Sequence, residues 1–344
     1  MAKEYCFKED ELREYCQKVL KDIDLSQEDA QILTDTIVAA ELRGISSHGV
    51  SRLPYYVERI NQGLIKSRPS LEVTEQGDDG NVFLMDADHA LGQVAAYRAM
   101  SQAIQKARDK GVCWAGIKNT NHIGIASFYS EMAAKEGMVG IIAANTNPAM
   151  APFGGVKALF GTNPCSIAAP TREKPIVLDM ATTNVARGKI RMCERSGQEM
   201  PVGWAKDSRG RDTTDPAAAL EGTLTPMGGP KGYGIALMID IMAGILTGSG
   251  STDEVGSLDD YSRTIDSGNV LMVLNIESMI EYSQYLDRVE ELKKKIKESP
   301  RADGVDEILL SGELEYNREE NHRKNGVNVD PAIGEEISRV LGYQ

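Results

Sequence analysis

The chain has 344 residues, with Asp+Glu at 51 against Lys+Arg at 38 and a formal net charge of −13 at pH 7. Its 41% hydrophobic and 26% charged residues supply a sizeable core, which excludes a disordered chain and a small disulfide scaffold, and the length fits two domains of roughly 150 residues. A protein this acidic, whose longest basic run is Lys293 to Lys295, is repelled by phosphate backbones and anionic lipid, so neither nucleic acid nor a membrane is expected as a partner.

Residues 7–63 read as consecutive helices. Leu12, Cys16, Val19, Leu20 and Ile23 recur at helical spacing, Ser26 with Asp29 resembles a capping box, and Leu33, Ile37 and Ala40 share one face of a second helix that stops near Gly44. A third helix runs through Leu53, Val57 and Ile60 to Gly63, with Pro54 in its first turn. From about residue 70 the pattern turns to mixed α/β: short β-type runs at 81–85, 112–117, 139–143 and 176–179 alternate with helical stretches at 95–108 and 126–135. A loop-rich region over 194–225 precedes a predicted buried helix at 233–246 and a strand at 269–275. A charged amphipathic helix at 278–298, a strand at 307–310 and a helical tail complete the chain. The expected organisation is a helical unit of residues 1–70, joined by the C-terminal helices of 278–344, around an α/β unit of 71–277.

The five cysteines are scattered and never spaced Cys-x-x-Cys, which argues against disulfides and zinc and for a reducing, cytoplasmic setting. The opening residues Lys3, Glu4, Glu9 and Asp10 lack the apolar run of a signal peptide. The most apolar stretch, 234–248, is broken by Asp240 and falls short of the ~20 residues that span a bilayer.

No Gly-x-Gly-x-x-Gly follows a strand, and no phosphate loop, His-Glu-x-x-His or Gly-x-Ser-x-Gly occurs. A standard Rossmann dehydrogenase, a P-loop enzyme, a zincin and an α/β-hydrolase are thereby disfavoured. Of the four histidines, two lie among groups suited to an anion and a proton. In the segment from Arg43 to Arg52, a helix begun near Ser47 would align His48, Arg52 and Tyr56 on one face, able to grip a carboxylate; a helix N-cap with a solvated arginine fits the same spacing. His122, in Lys118-Asn-Thr-Asn-His122-Ile-Gly, sits where a strand gives way to a helix, a common place for catalytic groups and equally for a polar surface turn. His89 and His322 read as solvated. Backbone-rich turns at 145–148, 152–155, 160–164, 179–183 and 228–234, several with glycine and the last carrying Lys231, would let backbone and an ammonium approach a phosphate, although ordinary turn chemistry explains any one of them.

Taken in order, Arg-Gly-Ile-Ser-Ser-His-Gly (43–49), Asn-His-Ile-Gly (121–124), Pro-Phe-Gly-Gly (152–155), Gly-Thr-Asn-Pro (161–164), Asp-Met-Ala-Thr-Thr (179–183), Ala-Arg-Gly-Lys (186–189) and Pro-Lys-Gly-Tyr-Gly (230–234) resemble the malate/L-lactate dehydrogenase family that is distinct from the Rossmann enzymes of the same names. Ureidoglycolate dehydrogenases, sulfolactate dehydrogenases and diketogulonate reductases belong to it as well. The resemblance spans about residues 8–340 and implies a homodimer with a non-Rossmann NAD(P)-binding domain, a helical domain built from both termini and a site near the subunit boundary. By the same resemblance Ser47, His48 and Arg52 match the substrate-binding segment, with Tyr56 beside them. His122 matches the proton acceptor of ureidoglycolate dehydrogenases and His48 the proton donor of diketogulonate reductases, so both stay candidates. Thr146, Asp179, Met180, Ala181, Thr182, Lys231, Gly232, Gly312 and Glu313 match nucleotide contacts. Asn147 stands where relatives often carry Asp or Glu, and Ser311 replaces a common proline.

The activity expected is hydride transfer between NAD, with NADP as the alternative, and a small 2-hydroxy or 2-oxo carboxylate such as malate or lactate. No metal is required. Ureidoglycolate, sulfolactate or diketogulonate oxidoreduction and cyclic-imine reduction are the alternatives within the enzyme class; a catalytically silent relative that binds an anionic metabolite is the alternative outside it.

Overall fold

A computed structural model describes residues 5–76 and 79–343. The fold is mixed α/β, built on a seven-stranded sheet in the order Glu72–Gln76, Val82–Asp86, Val112–Thr120, Ser267–Asn275, Met138–Ala144, Cys165–Ala169 and Ile176–Met180. Neighbours pair antiparallel, except that Val82–Asp86 and Val112–Thr120 run parallel. The period-2 alternation of these strands sets the layers. Cys113, Ala115, Ile117, Ile142, Leu271 and Val273 pack in one cluster with the helices Gly92–Lys110 and Ser127–Lys135. Their sequence neighbours Trp114, Ala143 and Val270 pack instead with Ile239 and Ala243 of the helix Pro230–Asp240 and its π-turn extension Ile241–Ile245.

The N-terminal helices Glu9–Leu20, Gln27–Leu42 and Leu53–Asn61 form their own core with Leu12, Leu33, Ile37 and Leu53 fully buried. Ser26 caps the second helix by accepting the Asp29 N–H at 3.0 Å, and Pro54 lies in the first turn of the third. The C-terminal segment returns to this unit. Val327–Val329 pairs antiparallel with Tyr5–Phe7, Ile337 of the helix Pro331–Leu341 joins the core, and His322 Nδ1 lies 2.7 Å from the Leu42 carbonyl. His322 is therefore held rather than solvated. His89 departs from expectation as well: its Nδ1 is buried without a partner.

Several elements differ from the sequence reading. Glu72–Gln76 and Cys165–Ala169 are strands without a strong apolar run, because neighbouring strands supply their partners. Residues 307–310 form no strand; Ser311 instead offers its carbonyl to the Val177 N–H at 3.0 Å, at the sheet edge. The region 194–225 is not all loop: the helix Arg187–Ser196 runs into it, and Ala205–Lys206, Asp212–Thr213 and Thr223–Leu224 make a small separate sheet. The charged helix begins only at Tyr282, after a 3-10 turn over Ile276–Ser278. Most consequential is the apolar helix expected to be buried. Its sheet-facing side is, but Ile235, Met238, Ile245 and Leu246 are 40%, 52%, 63% and 65% exposed. Apolar composition shows that a face must be covered, not that its own chain covers it.

An ion-pair cluster ties these parts together. Arg43, at the end of Gln27–Leu42, donates both Nη atoms to Glu131 at 2.6 and 2.8 Å and its Nε to Glu319 at 3.1 Å. The Arg43 and Glu131 side chains are 7% and 2% exposed. A buried pair is costly to break because the surviving charge stays desolvated. Glu131→Ala should lower unfolding stability in urea by about 3–5 kcal/mol, whereas Glu320→Ala, which removes the exposed Lys174–Glu320 pair, should cost under about 1 kcal/mol; equal effects would show that Arg43 finds another partner or solvent.

Candidate active site

The segment from Arg43 to Arg52 is not one helix. Two 3-10 turns, Ser46–His48 and Val50–Arg52, meet at Gly49 before the helix Leu53–Asn61 starts. Gly49 permits this break because it lies flush on a buried carboxyl, where an added Cβ would stand 2.1 Å from Glu41 Oε1. Glu41 Oε1 also accepts the Val50 N–H at 2.9 Å. Burial pushes the Glu41 carboxyl up to about 7, opposed by that N–H. The expected one-face alignment thus fails as helix geometry, yet its residues still converge. Ser47 Oγ lies 2.9 Å from His48 Nδ1, and Arg52 Nε donates to the Ser47 carbonyl at 2.5 Å. With Nε spent, the two terminal nitrogens of Arg52 remain as a fork, and Arg52 has no ion pair among the described residues.

His122 reaches the same place from the other side of the fold. The strand Val112–Thr120 ends two residues before it, and the helix Ser127–Lys135 begins five residues after. Tyr129 and Asn121, both buried, anchor this loop. The Tyr129 hydroxyl donates to the Ile123 carbonyl at 2.5 Å, and Asn121 Nδ2 donates to the Ala90 carbonyl at 2.8 Å. The Tyr56 hydroxyl lies 2.7 Å from His122 Nδ1, the Gly124 N–H donates to the same nitrogen at 3.3 Å, and the His48 and His122 rings stack with centroids 5.2 Å apart.

The electrostatics follow from this crowding. Burial, helped by the Arg52 charge, lowers His48 to about 4; burial, then His48 and Arg52, lower His122 well below the ordinary imidazole range. Both rings are neutral at pH 7, so each keeps one nitrogen free to accept a proton beside a guanidinium able to fork a carboxylate.

The residues matched to a nucleotide fall into two groups. Thr146, Thr182 and Gly232 are linked in one chain of contacts, and Lys231 precedes Gly232 in sequence. Thr146 Oγ1 lies 3.5 Å from Thr162 Oγ1, Thr182 donates its N–H and its hydroxyl to the Thr162 carbonyl at 2.8 Å, and Thr182 accepts the Met227 N–H at 2.9 Å. Gly232 in turn donates to Met227, and a Cβ on it would stand 2.3 Å from the Met227 oxygen. Lys231 is exposed in the first turn of Pro230–Asp240 and has no ion pair among the described residues. An exposed ammonium without an ion pair in the first turn of a helix is suited to a phosphate. The second group lies at the sheet edge. Asp179 and Met180 end the strand Ile176–Met180, with Ala181 next, and Gly312 packs on Val177 of the same strand. Asp179 Oδ2 already accepts the Ser127 N–H at 2.8 Å, and Glu313 pairs with Lys297 at 2.6 Å.

Two supporting residues escaped the sequence reading. Glu41 and Gln93 come from helices and carry no motif, so only their placement beneath the two histidine loops reveals them.

Compared with known proteins, the sequence profile described as malate/L-lactate dehydrogenase matches residues 7–338. A malate/(S)-sulfolactate dehydrogenase of Methanothermus fervidus is 38% identical over 331 residues, covering 96% of each chain. A malate dehydrogenase of Pyrococcus abyssi is 38% identical, covering 96% of this chain and 92% of its own length. The solved structure of sulfolactate dehydrogenase from Methanocaldococcus jannaschii superposes with a TM-score of 0.91 at 37% identity, over 99% of this chain and 98% of that one.

Depressed imidazoles make the folded state acid-sensitive in a definite direction. Between the ordinary value near 6.5 and the folded value near 4 for His48, the unfolded chain binds the proton that the folded chain refuses, so stability is lost as pH falls through that window. His48→Asn should flatten the decline of urea stability between pH 6.5 and 4; an unaltered slope would show that His48 is not held neutral.

Proposed function

The chain belongs to the malate/L-lactate dehydrogenase family, and on that premise we propose that it catalyses reversible hydride transfer between NAD(P) and a small 2-hydroxy or 2-oxo carboxylate of the malate, sulfolactate or lactate kind. The observation that carries this reading is the pair of neutral, stacked imidazoles beside the unpaired fork of Arg52. When bound, the nicotinamide takes up or returns the hydride at the substrate carbon. Thr146, the turn Asp179 to Thr182, Lys231 with Gly232, and Gly312 with Glu313 would hold the nucleotide, Lys231 serving a phosphate. In this reading 71–277 is the nucleotide-binding unit, and the helical unit drawn from both termini, 1–70 and 278–344, carries the carboxylate.

The chain's own work is to orient and to move a proton. Arg52 grips the substrate carboxylate through its two free nitrogens, and Ser47 and His48 add polar contacts. His122 accepts the hydroxyl proton as the carbon is oxidised and returns it on reduction. The anionic substrate also offsets the field of Arg52, which adds to burial and His48 in depressing His122. A silent anion-binding relative would need the arginine but not a held, uncharged base beside it.

The test is a spectrophotometric panel of NADH and NADPH oxidation against oxaloacetate, sulfopyruvate, pyruvate, oxalurate, diketogulonate and piperideine-2-carboxylate. Turnover on at least one is expected, and the same panel reads the choice of nucleotide. On the best substrate, Arg52→Lys keeps the charge but loses the fork, and kcat/KM should fall at least tenfold, about 1.4 kcal/mol. Unchanged efficiency would remove Arg52 from the site.

The reading includes a cytoplasmic homodimer. All five cysteines are unpaired, in keeping with a reducing setting, and among the described residues no helix is long and apolar enough to cross a membrane. Ile235, Met238, Ile245 and Leu246 form the open apolar stripe that a second copy would cover. Leu246→Glu should shift the protein to monomer in sedimentation, since a buried carboxylate at such a seam is unpaired; an unshifted dimer, or a monomeric wild type, would place or remove the interface elsewhere.

A further inference from the structure

Residues 161–164, Gly-Thr-Asn-Pro, lie between the segments proposed to hold the nucleotide. Gly161 is flush against Thr146, where an added Cβ would stand 2.0 Å from its Oγ1 and 2.3 Å from its carbonyl oxygen. The Thr162 carbonyl accepts both the N–H and the hydroxyl of Thr182 at 2.8 Å. Asn163, fully buried, reaches in two directions: its Oδ1 accepts the Thr146 N–H at 3.0 Å, and its Nδ2 donates at 2.9 Å to the Ala236 carbonyl in the helix Pro230–Asp240. That helix carries Lys231 in its first turn. Asn145, one residue before Thr146, is committed elsewhere: its Nδ2 donates to the Gly250 carbonyl at 2.8 Å and to Asp240 at 3.3 Å, and its Oδ1 accepts the Gly268 N–H at 2.8 Å. Among the described residues, Asn163 is therefore the side chain that joins Thr146 itself to the helix of Lys231.

We propose that Asn163 is a positioning residue that fixes the spacing between Thr146 and the helix carrying Lys231, and thereby sets the affinity for the nucleotide. The proposal rests on the reading of Thr146 and Lys231 as nucleotide contacts. The orientation of the amide is decided by its partners, since a backbone N–H only donates and a carbonyl only accepts. One planar group thus holds a turn and a helix at a single separation. The backbone confirms that the residue is specified: Asn163 has φ +32°, a sparsely populated region where asparagine is enriched among residues other than glycine. Such a conformation persists where its surroundings over-determine it, and the two amide bonds do so. Glycine would meet the backbone demand as well, but it supplies neither bond. A ligand that touches Thr146 and Lys231 at once gains from both only if they are already held at the right distance; when the spacing relaxes, the cost of restoring it is charged to binding. Without the amide of Asn163, Lys231 therefore contributes less to the nucleotide.

Fluorescence titration with NADH or NADPH, whichever binds the wild type more tightly, reads the effect in the absence of carboxylate substrate. Asn163→Gly keeps the backbone conformation and removes both bonds, and its Kd should rise about tenfold or more, with the KM for the 2-oxo acid at saturating nucleotide unchanged. Lys231→Ala should weaken binding in the otherwise wild-type chain and weaken it much less in the Asn163→Gly chain, because a displaced ammonium has less to lose. A loosened fold alone would leave the two losses additive, so additivity, or an unchanged Kd in Asn163→Gly, would overturn the proposal. One measurement needs no variant to fold: in the wild type the Thr146 amide, bonded to a buried oxygen, should exchange with deuterium about a hundredfold or more slowly than in an unfolded chain, and exchange at the unfolded rate would overturn the proposal as well. Lys231→Ala without effect on the wild-type background would instead overturn the nucleotide placement beneath, and the proposal with it.

Discussion

The hydrogen bond between Tyr56 and His122 is the contact on which this site depends, because it joins a helix of the N-terminal unit to a loop at the end of a sheet strand. Neither half is a site alone. Arg52 and His48 without His122 make an anion grip with one buried imidazole; His122 without them is a histidine in a polar turn. What holds the halves in register lies just outside the rings. Arg43 leads into the 3-10 turns while its guanidinium is pinned by Glu131 and Glu319, and Glu41 supports those turns from below. The glycines at 49 and 92 permit contacts that any side chain would prevent.

The electrostatic design works against the net charge. A protein at −13 should repel a dicarboxylate at a distance, so recognition must come from short-range, desolvated groups. Burial, aided by the Arg52 charge, keeps the two imidazoles neutral and leaves a single uncompensated cation. In the proposed function the substrate's carboxylate is the partner of that cation.

Much of this was legible in the sequence, and the failures are informative. The amphipathic N-terminal helices, the Ser26 cap and the apolar central strands follow from local pattern, which depends on near neighbours. Ser47, His48, Arg52, Tyr56 and His122 were all identifiable, but the reason they meet was not: helical spacing suggested a single face, whereas the structure uses two 3-10 turns and a contact across 66 residues of sequence. Strands such as the edge strand Glu72–Gln76 and the interior Cys165–Ala169 escaped because their stability is supplied by partners. Gln93 and Glu41 were invisible because a buried polar residue in a helix has no periodic signature; only its surroundings distinguish it. The apolar helix ending at Leu246 was misjudged for the converse reason, as composition cannot say which molecule covers a face.

In the proposed reaction this two-part site moves a hydride to and from a carboxylate-bearing carbon. The direct measurement is label transfer: the protein is incubated with NADH or NADPH dideuterated at nicotinamide C4 and the 2-oxo acids of the malate, sulfolactate and lactate series, and the products are read by NMR and mass spectrometry. A 2-hydroxy acid carrying one deuterium at C2 is expected. A hydroxy acid without label at that carbon, or no hydroxy acid from any of them, would contradict it.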